Sequence, residues 1–237
     1  HKMYAPFGTG ALIGRKDTFA QGVPDMVGGG VVEIVTLDGV HWAEPPESEE
    51  AGSPNVIGAI GMAAAIRKLD EIGMDTVAEH EAVLTKYALE KMKDIKGINI
   101  IGDDDPENTA NRLGVIPFLL DHVDHFKVAS ILGHEFGIGV RNGCFCAHPL
   151  ILFLLGLNED EAAAVRDAIL ADNKAEMPGL IRASFGLYNT EEDVDALVDA
   201  LHKISAGDYE GEYIQDPKTG EYTPVGWEPD FDKHFSF

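Results

Sequence analysis

Cysteine is nearly absent from this chain: 237 residues carry two, Cys144 and Cys146. So few exclude a disulfide framework, and a reducing cytoplasm is the expected compartment. Positive charge is scarce as well, with 18 Lys and Arg against 41 Asp and Glu, a formal net charge of −23. That balance argues against nucleic acid or an anionic membrane surface as a partner, because both repel an acidic protein. Long apolar runs are also missing. The longest strongly apolar one, Leu150 to Leu155, is far too short to span a bilayer, and the opening residues show no signal-peptide pattern. Position 1 is His1 and not an initiator methionine, so processing or a longer parent polypeptide is expected. Apolar residues make up 45% of the chain, enough for a sizeable core in one or two domains.

Taken in order, the opening has a glycine turn at Gly8 and Gly10 and then a short expected strand over Ala11 to Arg15. Val31 to Leu37 reads as a strand ending at an Asp38-Gly39 turn. An acidic loop follows to Asn55, and Ser53-Pro54 reads as the N-cap and first position of a helix through Leu69. Asp75 to Lys93 has the spacing of a second, amphipathic helix that starts after Gly73. Further on, the pattern predicts strands at Ile98 to Ile101, Leu113 to Leu119 and Gly179 to Leu187. Helices are expected over His122 to Phe136, from Pro149, over Glu159 to Asp172, and from a capping box at Thr190 to Ile204. The tail from Ser205 is rich in Gly, Asp and aromatics and predicts a hairpin turning at Asp216 to Gly220. His122, His125 and His134 lack a carboxylate at helical spacing, so solvated helix histidines are expected there and no metal site.

Both cysteines fall in one stretch, VRNGCFCAHP from Val140 to Pro149. One residue separates them, a poor frame for zinc and too close for a ready intramolecular disulfide. A reactive thiol or a pair of inert buried ones remains. Arg141 and His148 favour a thiolate nearby, and Asn142-Gly143 suggests an exposed turn.

Five segments in this order resemble the pyridoxal-phosphate enzymes of the class V aminotransferase family, in its cysteine desulfurase and selenocysteine lyase branch. They are HKMYAPFGTGALIG, GGGVVEIV, EAGSPNVIGAIGMAAAI, VRNGCFCAHP and IRASFGLYNTEEDVDALVDAL. The resemblance implies roles residue by residue. Lys2, with His1 beside it, would hold pyridoxal 5'-phosphate covalently. Ser53 would reach the cofactor phosphate of a partner subunit in a homodimer. Arg182 would hold the substrate carboxylate, with Arg141 as a second active-site arginine. Cys146 would be the nucleophile that carries sulfur, with Cys144 a relay or, as the favoured reading, a bystander. The implied fold is α/β, the C-terminal portion of a fold-type-I enzyme. Residues 1–72 would be the remainder of the large cofactor-binding domain, and 73–237 a small α+β domain with an aromatic, acidic tail from about 205.

The activity so implied abstracts sulfur from L-cysteine, or selenium from selenocysteine, leaving alanine and a cysteine persulfide, with a sulfur-acceptor protein as a further partner. Two other readings stay open: a class V aminotransferase, epimerase or β-lyase on another amino acid, and an inactive fragment or interaction module. The chain departs from the family in three places. The sequence opens at His1, and the family places most cofactor contacts before that point, so residues 1–237 by themselves are expected to hold the cofactor weakly and turn over no cysteine. Glu49-Glu50 stands where an aromatic-acid pair is more usual, and the tail is longer than the family core requires.

Overall fold

A computed structural model describes residues 2–5, 8–110 and 112–229. The chain divides into two compact units, residues 1–74 and 75–237.

In the first unit, α1 (Lys16–Phe19) precedes a hairpin of β1 (Val32–Thr36) and β2 (Gly39–Trp42). A 3-10 turn (Glu47–Glu49) and then α2 (Val56–Ile72) follow. Three local expectations are corrected here. Ala11 to Arg15 form no strand: Leu12 and Ile13 are 85% and 91% exposed, so no packed face favours an extended ladder there. The hairpin tip is Leu37-Asp38, one residue earlier than read, because Thr36 pairs with Gly39. Asn55, not Ser53, caps α2, its Oδ1 accepting from the Gly58 amide at 3.0 Å. Pro54 could open a helix at no hydrogen-bond cost, but the Asn55 carboxamide reaches the unpaired amide of the first turn and takes the cap. The Asn55 amide also donates to the Gly8 carbonyl at 2.9 Å, tying the glycine turn to the start of α2. Gly58 lets these groups meet, since a Cβ there would lie 1.8 Å from Thr9 Oγ1. Few side chains of this unit are buried, and Ile34, Val35, Ile57 and Ile60 are all exposed.

The second unit has its own core. Its four-stranded antiparallel sheet contains β3 (Ile98–Ile100), β4 (Val115–Leu120), β5 (Arg141–Gly143) and β6 (Leu180–Ser184), in the spatial order β3-β4-β6-β5. One face packs on α3 (Met74–Met92), α4 (His125–Phe136) and α7 (Glu191–Ala206). Ile116, Phe118 and Leu120 of β4 alternate inward with Ile181 and Ala183 of β6, and Leu89, Ile131 and Leu201 meet them from the helices. Each such large side chain contributes about 1.5–3 kcal/mol by leaving water. The capping box that opens α7 is present, with the Thr190 amide donating to Asp193 at 3.0 Å. Two expectations shift: Leu113 is exposed and β4 begins at Val115, while α4 begins at His125 because Asp124 caps it. The helices α5 (His148–Leu154) and α6 (Glu159–Leu170) complete the unit with a hairpin of β7 (Tyr213–Gln215) and β8 (Tyr222–Pro224).

The tail is stapled to α4. Glu135 accepts from the backbone amides of Glu210 and Gly211, both at 2.9 Å, and from the Tyr213 hydroxyl at 2.8 Å. Burial works to raise the Glu135 carboxyl, but the three donors together outweigh it and hold it below the usual carboxylate range. Burial and the Glu135 bond push the Tyr213 hydroxyl up. A depressed carboxyl stabilises the fold above its unfolded pKa and loses that as pH falls through the folded value; a raised phenol loses its share as pH rises above about 10. Glu135→Ala is therefore expected to destabilise the unit at neutral pH by about 1–3 kcal/mol. Urea titration at pH 7 and pH 3 checks this, with the gap from wild type narrowing at pH 3.

Candidate active site

The sheet face away from the main core carries two arginines beside a small second apolar cluster that includes Leu180. Successive side chains of a strand point to opposite faces, so Arg182 of β6 points away from the side that Ile181 and Ala183 bury. In the antiparallel register Arg182 stands directly opposite Arg141 of β5, and opposite Pro117 of β4 on its other side. Opposed residues lie on one face with Cβ atoms about 5 Å apart, and like charges so placed repel. Arg182 Nε is moreover buried with no hydrogen-bond partner among the described residues, and an unmade bond of that kind costs about 1–3 kcal/mol or more. Two facing cations and an orphaned donor define a place for an anion. A carboxylate suits it, since its two oxygens match the planar guanidinium fork.

Immediately after β5 the chain enters the cysteine stretch. Asn142 and Gly143 are not the exposed turn expected: they pair with Ile181 and Leu180, and Gly143 is buried. The edge of β6 offered unpaired backbone groups, and satisfying them draws these residues into the sheet. The turn falls three residues later. Phe145 and Cys146 have φ of +51° and +62°, a left-handed backbone that costs a non-glycine residue about 1–2 kcal/mol. The Ala147 amide closes this turn on the Cys144 carbonyl at 2.7 Å. The Phe145 ring lies 5.0 Å from the Arg182 guanidinium, a cation–π contact that ties the loop to the anion site.

The two cysteines thus part company. Cys144 is 5% exposed beside Ile151 and Leu180, its thiol donating to the Pro178 carbonyl at 3.1 Å. Burial pushes the Cys144 thiol up, which keeps it protonated and inert. Cys146 is exposed at the tip. A strained turn that presents one free thiol next to an anion site is an arrangement associated with function. The loop ends as α5 starts at His148, one residue before the expected Pro149.

Of the other residues singled out, Lys2 is exposed in a turn of the first unit, and Ser53 is exposed there and does not cap α2. His1 lies outside the described residues. The three histidines set aside as solvated differ among themselves: His125 is 4% exposed and hydrogen-bonded, because α4 starts with its ring directed under β5. Among the described residues, no three His, Cys, Asp or Glu side chains gather to hold a metal. Phe145, Asn55 and His125 were not legible as site or support residues. Only Asn55 left a signal, as the polar residue directly before the first helical turn.

This geometry and the order of the segments agree with the comparisons. The aminotransferase class-V family model matches residues 1–197, and the chain belongs to that family. A probable cysteine desulfurase of Staphylococcus aureus (strain COL) is 38% identical over 201 residues, 85% of this chain and 42% of the relative. A cysteine desulfurase of Serratia proteamaculans (strain 568) is 36% identical, over 86% of this chain and 44% of its own. Among solved structures, a cysteine desulfurase from Escherichia coli in an S-sulfonic acid form superposes with a TM-score of 0.70 at 29% identity, covering 89% of this chain and 45% of that one. The apo cysteine desulfurase of Thermococcus onnurineus NA1 gives 0.63 at 33% identity, over 78% and 40%. The chain spans less than half the length of these relatives. The expected α/β fold of this enzyme family is borne out, including the small antiparallel sheet covered by helices.

Proposed function

We propose that the chain is the part of a cysteine desulfurase that binds the substrate carboxylate and carries the attacking thiol. The observation that carries the reading is the exposed Cys146, set on a strained turn whose Phe145 rests on Arg182, with Arg141 facing Arg182 across two strands. The net reaction balances without an outside oxidant. L-Cysteine loses its Cβ–S bond, a new S–S bond forms at Cys146 Sγ, and alanine leaves. Every sulfur and proton is accounted for as cysteine plus thiol giving alanine plus persulfide.

In this reading Arg182 takes the carboxylate as a two-pronged hydrogen bond, and Arg141 adds charge from the exposed side. Cys146 attacks the substrate sulfur as the thiolate. Lys2 anchors the cofactor by its amine and moves the proton at the substrate Cα. Pyridoxal 5'-phosphate, when bound, supplies the electron sink for carbanion charge at that carbon. The donor set fits such a group: Lys2 offers an exposed primary amine, and Ser53 keeps its hydroxyl free of helix capping because Asn55 does that work. We assign Ser53 to the phosphate of a partner subunit in a homodimer, and His1 to the cofactor beside Lys2. The first unit is then the remainder of the large domain, whose exposed Ile34, Val35 and Ile57 the rest of that domain would cover. Two unpaired thiols suit the cytoplasm, where a sulfur-acceptor protein would unload Cys146.

Incubating the intact enzyme with L-cysteine and a thiol reductant is expected to give alanine and sulfide in equal amounts. Pyruvate with ammonia would instead favour β-elimination, and loss of the amino group to a keto acid would favour transamination.

A further inference from the structure

We propose that His125 is a positioning residue for the cysteine loop, acting through Asn142; the inference rests on the desulfurase reading for its kinetic consequence but not for its structural one. Three segments converge on this ring. His125 opens α4, and its Nε2 lies 2.8 Å from the Met177 carbonyl. A carbonyl only accepts, so the ring proton sits on Nε2 and Nδ1 is left as an acceptor. The group facing Nδ1 is the Asn142 amide nitrogen, at 3.4 Å, which donates to it. A buried ring nitrogen without a partner would be costly, and here both are matched.

Asn142 is the middle residue of β5, a three-residue edge strand whose first residue is Arg141 and whose end leads into Cys144. So short a strand has few ladder bonds of its own. The segment 177–179 supplies two more ties at once: Met177 O to His125 and Pro178 O to the Cys144 thiol. The third residue makes the approach possible, since a Cβ on Gly179 would lie 2.6 Å from Gly143 Cα and 2.7 Å from His125 Nε2. His125 therefore locks β5 to the lead-in of β6, which fixes where the left-handed turn at Phe145 and Cys146 begins. It touches neither Cys146 nor the arginine pair and acts through Asn142.

The test uses the intact enzyme with His125→Gln, Asn142→Ala and the double variant. Glutamine keeps a donor that reaches Met177 but loses the acceptor toward Asn142, so both single changes break the same bond. Alkylation of each thiol by iodoacetamide, followed by peptide mass spectrometry, reports the loop without any turnover. In wild type Cys146 is expected to react and Cys144 to be protected. Each variant is expected to raise the Cys144 rate about tenfold, the cost of one lost hydrogen bond, and to lower kcat with little change in KM. The double variant is expected to be no worse than His125→Gln alone, because one bond is broken once. Additive effects, or a wild-type alkylation pattern with wild-type kcat, would overturn the proposal. Should His125→Gln not fold, Asn142→Ala decides alone, since it leaves the core ring in place. If wild type makes no alanine yet the Cys144 rate rises as stated, the desulfurase reading fails and the positioning role stands.

Discussion

Replacing Cys146 by alanine in the intact enzyme is expected to lower sulfur release from L-cysteine about 1,000-fold or more, as removal of an attacking nucleophile does. The visible absorption of the bound cofactor should stay unchanged, because Cys146 is exposed at the tip of its loop and is proposed to meet the substrate sulfur, not the cofactor. Cys144→Ala is expected to lose much less. Its thiol is buried, pushed up by burial, and occupied by the Pro178 carbonyl, so it is a poor nucleophile on three counts. The small loss would come from the vacated contact with Ile151 and Leu180. Steady-state sulfide release by the two variants separates these readings. A larger loss for Cys144→Ala would mean that the buried thiol turns outward during turnover and that the loop acts in another conformation.

The second large effect is expected at Arg182. Changing it to glutamine removes charge-assisted bonds to a carboxylate, about 2–4 kcal/mol, or roughly 30- to 1,000-fold in kcat/KM. Lysine should rescue only part, since a point charge lacks the fork. Stability should move the other way. Arg182 faces Arg141 and leaves its Nε unpaired, so its removal relieves repulsion and an unmade bond, and the melting temperature is expected to hold or rise. Arg141→Gln, on the exposed side of the pair, should cost less activity. Equal loss of activity and stability in Arg182→Gln would instead make the arginine a structural residue.

Much of this was legible beforehand, and the exceptions share a cause. The helices expected over Asp75 to Lys93 and from the capping box at Thr190 lie within a residue or two of expectation. The tail hairpin turns where Asp216 to Gly220 said it would. What failed were short segments whose state depends on a neighbour distant in sequence. Ala11 to Arg15 has strand composition but no partner strand among the described residues, and Asn142-Gly143 has turn composition but meets the edge of β6. His125 looks like any polar helix residue until Met177, 52 positions later, comes to rest against it. The residues proposed for the site were visible as a family pattern. Their physical support was not: the facing of Arg141 and Arg182 is a fact of register, and the opposite fates of Cys144 and Cys146 follow from two left-handed residues that no local propensity favours.

Sulfur is expected to pass to Cys146. The most direct measurement is a single turnover of the intact enzyme with L-cysteine carrying isotopic sulfur, followed by alkylation and mass spectrometry of the peptide that contains both cysteines. One labelled sulfur on Cys146 for each alanine formed is the expected result. Alanine with the label on Cys144, or with no label on the protein, would contradict it.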